Sequence, residues 1–426
     1  MYGILIEVFY MKKISFFLFL LFMSLDINAG SIRLAPYFQS NMVLQQGEPV
    51  TLWGTALPGE TIRAVFDGET ASCTAGEGGE WKLVFAARKA SFGSKELQVG
   101  DTVLHNILIG EVWVCSGQSN MAMRTSVCDN ETRGIQKGEY ANIRLLNYSG
   151  ISIVANDGYT EEELSRCNVD NYFRYTWEVA SYDRFQAFSA VATHFGIQLY
   201  RKINVPVGLV CCAVGGSAIN NWIPEQVLKH HPLTRSLYES DWLSNEDVYI
   251  NHRERCRNAF KRVLPQGKAF IPGKLPYRFI TEPGFAYEAS FARIGKVRFR
   301  GVLWYQGESD AYSGKSVMNY EVLFRMLVDS WRLNFENPDL PFVVVQLPRF
   351  NSPYWPDMRI LQERLCRQIP EIFLVGTKDM GDEQEIHYKG KKAVGERAAS
   401  EAWNNVYNNT FYPQRLYRPN RKKYTY

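Results

Sequence analysis

The stretch Ile107-Leu108-Ile109-Gly110-Glu111-Val112-Trp113-Val114-Cys115-Ser116-Gly117-Gln118-Ser119-Asn120-Met121 decides the fold. Its first nine residues are apolar except for one Gly and one Glu. A short continuous apolar run of this kind reads as a strand buried on both faces, the kind found in a parallel sheet covered by helices. It breaks off into small and polar residues that suit a tight turn and a helix start. Ligands of such sheets bind beyond the carboxyl ends of the strands, so the loop around Ser119 is a first place to look for chemistry.

Downstream, the same alternation continues. Strands are expected at 141–148, 205–213, 299–305, 342–347 and 372–376. Helices are expected at 183–203, 316–335, 358–369 and 388–403, each with an apolar stripe at helical spacing. This predicts an α/β domain with a mostly parallel sheet. The span from about 224 to 296 is polar and irregular, rich in Arg, His and Tyr, and reads as an insertion near the mouth of the sheet. Upstream, residues 31–106 hold short Val-, Thr-, Leu- and Trp-rich segments separated by turn signals such as Pro58-Gly59 and Asp67-Gly68, the pattern of a small β-sandwich.

The ends differ from the middle. Met11-Lys12-Lys13, an apolar run from Ile14 to Met23 and Asn28-Ala29-Gly30 have the layout of a secretory signal peptide over residues 1–30. The run is shorter than the roughly 20 residues that span a bilayer, so the mature chain is expected off the membrane, exported as a periplasmic or secreted protein. Residues 411–426 form a basic tail, with five Lys and Arg residues after Pro413 and no acid. That tail accounts for the net charge of +4, which leaves no nucleic-acid footprint on the rest of the chain. At 426 residues with 46% hydrophobic and 22% charged residues, the chain can bury large cores, and disorder is excluded. The eight Cys residues show neither a CxxC pair nor zinc spacing; Cys115, Cys211 and Cys212 read as buried thiols, and export leaves room for one or two disulfides.

Four loops at strand ends carry candidate chemistry. Ser119 is placed as a nucleophile, with the following backbone N–H groups as oxyanion donors. Met121 stands where the G-x-S-x-G elbow of α/β-hydrolases has Gly. Gly215-Gly216 lets a backbone approach a ligand closely, and Ser217 beside it is a rival nucleophile. Gln306-Gly307-Glu308-Ser309-Asp310 offers an amide for an oxyanion and a carboxylate to orient an imidazole. His387 follows the last strand in an acid-rich loop and suits the base. Each loop also has a plain structural reading, as a cap or a turn; what singles them out is their convergence on one sheet edge.

Gly117-Gln118-Ser119-Asn120-Met121, Gly215-Gly216-Ser217, Trp304-Tyr305-Gln306-Gly307-Glu308-Ser309 and Ile386-His387, in that order, resemble the blocks of SGNH-type carbohydrate esterases, and most nearly the sialate O-acetylesterase family. Asn41-Met42-Val43-Leu44-Gln45, Trp53-Gly54 and Gly110-Glu111-Val112-Trp113 resemble that family's N-terminal signature. The resemblance implies a flavodoxin-like SGNH three-layer domain over 107–410 and cofactor-free, metal-free hydrolysis of O-acetyl esters on sugars. It implies Ser119 as nucleophile and His387 as base, with the Ser119 and Gly216 N–H groups and the Gln306 amide as oxyanion donors. Many such enzymes place Asp three residues before the His, where this chain has Gln384. Related acetyl xylan esterases use the Glu of the Gln-Gly-Glu block, which points to Glu308, with Glu385, Asp382 and Asp379 as alternatives, or a dyad. The expected substrate is an O-acetylated sialic acid, its carboxylate met by Arg253, Arg255 or Arg278. The rival readings are an acetyl xylan esterase and a non-catalytic carbohydrate-binding protein.

Overall fold

A computed structural model describes residues 32–128, 138–264 and 268–408. The leader at 1–30 and the basic tail at 411–426 lie outside the described residues. The chain divides into two compact units.

The smaller unit is drawn from residues 32–38, 51–85 and 96–104, while 39–50 and 86–95 belong to the larger one. It is built of strands alone. Arg33–Leu34, Val50–Thr55 and Glu80–Phe85 form a three-stranded sheet, and Thr61–Phe66 pairs antiparallel with Glu69–Thr74 and with the end of Ser91–Val99. Alternation sets the core: Ile62, Ala64 and Phe66 point inward, as do Trp81, Leu83 and Phe85. Phe66 and Phe85, from different sheets, meet edge to face at 5.8 Å between centroids.

The larger unit is organised by a sheet of mixed direction. Its strands are β1 (Thr102–Gly117, of which 105–117 lie in this unit), β2 (Ile143–Asn147), β3 (Trp177–Val179), β4 (Val207–Ala213), β5 (Gly301–Tyr305), β6 (Phe342–Val345) and β7 (Ile372–Val375). They run in the order β3-β2-β4-β1-β5-β6-β7, all parallel except the antiparallel edge strand β3. The chain steps from β1 to β4 on one side and then returns to β5 on the other. That reversal opens a crevice at the carboxyl end of β1, and Ser119 follows immediately.

Helices cover both faces. The helices named below are α1 (Ser119–Ala122), α2 (Ala190–Ile203), α3 (Ile250–Phe260), α4 (Gly314–Asn334), α5 (Trp355–Gln368) and α6 (Lys391–Ala402). Trp113 of β1 meets Phe195 of α2 at 5.1 Å, and Trp304 of β5 meets Trp331 of α4 at 5.8 Å. Trp113 is in register with Gly301, three residues before Trp304, so strand alternation sends the two indoles to opposite faces. α6 packs along α2, and α4 along α5. The lone acid of β1, Glu111, is fully buried and held by Arg300 at 2.5 and 3.1 Å.

Some expectations are corrected. The helix expected over 183–203 is two helices, Tyr182–Ala187 and α2, because Thr125 N–H takes the Phe188 carbonyl and the Ser189 side chain caps the second helix from Ala192 N–H. The last helix begins at Lys391 rather than 388, since residues 388–390 belong to the loop that carries His387. The 224–296 span contains α3 and several shorter helices. All eight cysteines are free thiols.

Candidate active site

The turn after β1 is set by backbone geometry. Gly117 has φ 143°, and a Cβ there would stand 1.9 Å from the Tyr305 carbonyl oxygen, so no larger residue fits between β1 and β5. Ser119 follows, half-buried, as the first residue of α1. A Cβ on Gly215 would lie 3.8 Å from the Ser119 Cβ, so the turn after β4 stands beside the serine. Among the described residues no acceptor takes the N–H of Ser119 or of Gly216. Both are open to an oxyanion.

Gly216 is held from behind. Its carbonyl accepts from Ser309 Oγ at 2.9 Å and from His252 Nε2 at 2.5 Å. A carbonyl only accepts, so His252 carries its proton on Nε2. Burial pushes this imidazole down to about 4, and the Arg255 charge pushes in the same direction. His252 is therefore a neutral, fixed donor. It lies in the polar insertion at 224–296, and nothing local in α3 marks it.

The residues after β5 are buried, and the Gln306 amide nitrogen is already claimed. Gln306 does not serve as an oxyanion donor: its Nε2 faces Gln118 Oε1 at 3.1 Å, the Ser217 carbonyl at 3.2 Å and Asp310 Oδ2 at 2.5 Å. Two N–H bonds already face three acceptors, so none is left for substrate. Gln118 gathers this loop, its Oε1 also accepting from Ser309 N–H at 3.1 Å. Ser217 is no rival nucleophile; its buried hydroxyl accepts from Trp222 Nε1 at 3.0 Å.

Asn120 is the joint of the site. Its Nδ2 donates to Glu308 Oε1 at 2.6 Å and to the Ile386 carbonyl at 3.0 Å. Its Oδ1 accepts from Lys391 Nζ at 2.6 Å. The residue after Ser119 is thus bonded to the residue before His387, and the two loops are brought together. Lys391 is buried among Tyr305 and Tyr388 rings, and burial pulls its ammonium down to about 8.

The four carboxylates considered for the His387 partner are separated by their bonds. Glu308 is held by Asn120, its second oxygen is buried without a partner, and burial pushes its carboxyl up to about 7. Asp379 forms a two-bond pair with Arg397 at 2.7 and 2.8 Å. Asp382 accepts from the N–H groups of Gln384 and Glu385 and shapes the turn. Glu385 accepts the His387 backbone N–H at 2.7 Å and lies 3.6 Å from its Nδ1. So Glu385, rather than Glu308, stands beside the imidazole, which is half-exposed. Arg278 is equally committed elsewhere, to Glu225 and Glu282 at 2.5 and 2.7 Å.

The model of the family of carbohydrate esterases described as sialic acid-specific acetylesterases matches residues 109–261 and 278–404, which include every site residue named above. The chain belongs to this family. Among its relatives is mouse sialate O-acetylesterase, 27% identical over an alignment of 410 positions that covers 86% of this chain and 72% of that protein. Human sialate O-acetylesterase is also 27% identical, over 87% of this chain and 71% of its own length. A carbohydrate acetylesterase from Xanthomonas citri superposes with a TM-score of 0.66 at 22% identity, over 88% of this chain and 75% of that one, which shows a shared fold. As a member of the sialic acid-specific acetylesterase family, the chain is a carbohydrate esterase that removes O-acetyl groups.

Proposed function

We propose that this esterase acts on O-acetylated sialic acids by acyl transfer through an acetyl-enzyme, with Ser119 as nucleophile and His387 as base. The observation that carries the reading is Asn120, which links the Ser119 turn to the carbonyl of Ile386. His387 takes the Ser119 proton as the hydroxyl attacks the acetyl carbonyl. The oxyanion is met by the N–H groups of Ser119 and Gly216, each worth about 3 kcal/mol in comparable sites. Glu385 stabilises the imidazolium, which then protonates the departing sugar oxygen. Water activated by the same His387 releases acetate. The order of strands supports an SGNH-type, flavodoxin-like catalytic domain, preceded by a small β-sandwich, and the leader-like segment at 1–30 supports export.

Ser119→Ala is expected to lower kcat on both 4-nitrophenyl acetate and an O-acetylated sialic acid by about 10³-fold or more, with folding unchanged by circular dichroism. Full activity of that variant would remove Ser119 from the mechanism. Acetate release from acetylated xylan, measured in parallel, tests the sugar class.

A further inference from the structure

Gly216 has φ 75°, and a Cβ built on it would stand 2.5 Å from Nη1 of Arg255. The guanidinium therefore lies against the very turn that offers its N–H to the oxyanion. Its place is fixed by α3. Arg255 is three residues on from His252, on the same face of the helix, and His252 is bonded to the Gly216 carbonyl. Arg255 is only partly buried, and no hydrogen bond or ion pair engages its side chain among the described residues. Arg253, also of α3, keeps a buried Nε without a hydrogen-bond partner among the described residues, but it is Arg255 that lies against Gly216, and two other arginines nearby are spoken for. Arg278 is paired with Glu225 and Glu282, and Arg257 donates to the Leu243 carbonyl. A planar cation with five N–H donors and no protein partner, set at the edge of an esterase site, is matched to a planar anion.

We propose that Arg255 takes the carboxylate of the acidic sugar and so sets the preference of this enzyme for sialic acid esters over neutral ones. The inference rests on the substrate reading above. Arg255 is a binding residue here; the reacting acetyl group sits on Ser119 and Gly216, and the sugar carboxylate reaches past them to α3.

The test compares kcat/KM for an O-acetylated sialic acid with that for its carboxamide, which keeps sugar and acetyl group and removes the charge. Wild type is expected to favour the acid by about 10- to 100-fold, the span of a charge-assisted hydrogen-bonded pair. Arg255→Gln is expected to bring the ratio close to 1, mainly through KM, and Arg255→Lys to restore part of it. Each enzyme is its own reference, so a general loss of activity cancels. A wild-type ratio near 1, or a ratio that survives Arg255→Gln, overturns the role of Arg255 alone. Wild type that cleaves 4-nitrophenyl acetate but neither sialic acid substrate overturns the substrate reading and the inference with it.

Discussion

Two loops leave the same edge of the sheet and could hardly differ more. The one after β5, Gln306 to Asp310, is buried, and its amide and carboxylates are bonded to Gln118, Asn120, Ser217 and Ile219. The one after β7, Asp379 to Tyr388, is largely exposed, and its acids make short local bonds to backbone or to Arg397. Both are rich in carboxylates. Burial decides what those carboxylates are worth. Glu308 and Asp310 are pushed up to about 7, while Asp379 is pulled down to about 2 by Arg397. A buried acid that keeps its proton holds a scaffold; an ionised one at the surface can steady an imidazolium.

The comparison breaks most visibly at Asn120, among the described residues the one side chain bonded to both loops. Asn120→Ala leaves Glu308 and Lys391 without a buried partner and frees the Ile386 carbonyl. Stability is expected to fall by about 3 kcal/mol in urea unfolding, as when a buried charged hydrogen bond is severed. Turnover of 4-nitrophenyl acetate is expected to fall by about 100-fold, because misplacing a catalytic group by an ångström has that effect. A drop in turnover with stability unchanged would mean that Asn120 touches the substrate rather than tying the loops.

A smaller effect separates the two candidate acids. Glu385→Gln is expected to lower kcat about tenfold at pH 7, through loss of charge beside the imidazolium. Glu308→Gln is expected to lower it by less than about threefold. The reverse order would restore Glu308 as the partner of His387.

The sheet and the edge that carries the candidate site were legible in the sequence because apolar strands announce themselves locally. Ile107 to Cys115 and Val205 to Ala213 need no partner to be recognised, and the loops that follow them fall where ligands bind. What each loop residue does was not legible in the same way. Gln306 looks like a free amide until Asp310 and the Ser217 carbonyl are seen to claim it, and the latter lies 89 residues away. His252 and Arg255 reach Gly216 from α3 across 36 and 39 residues of sequence, so no spacing rule points to them. The break at Phe188 is not visible in the sequence because the stripe of Phe185, Phe188 and Ala192 keeps helical spacing through it, and the Thr125 N–H that takes the Phe188 carbonyl is distant.

The finest test concerns the proton on Glu308. Its carboxyl goes from an ordinary 4.5 in the unfolded chain to about 7 in the fold. Between these values the folded state holds a proton that the unfolded state has released, so folding weakens as pH rises through that window. The loss is complete above pH 7 and amounts to about 3 kcal/mol. His252 runs the other way: with its imidazole at about 4 against 6.5 unfolded, stability rises with pH across that interval. Asp310, also pushed up to about 7, runs the same way as Glu308, so wild type alone would show a blend of all three. The difference between Glu308→Gln and wild type removes the titration of the carboxyl itself, since the amide cannot ionise; His252 is common to both, and Asp310 and Lys391, which feel the Glu308 charge, contribute only the change in that coupling. Unfolding free energies at pH 4.5 and pH 8 are expected to show the variant gaining about 3 kcal/mol on wild type between them. A difference that does not change with pH would mean that Glu308 is ionised in the resting site, and the buried loop would then hold the charge that is here assigned to Glu385.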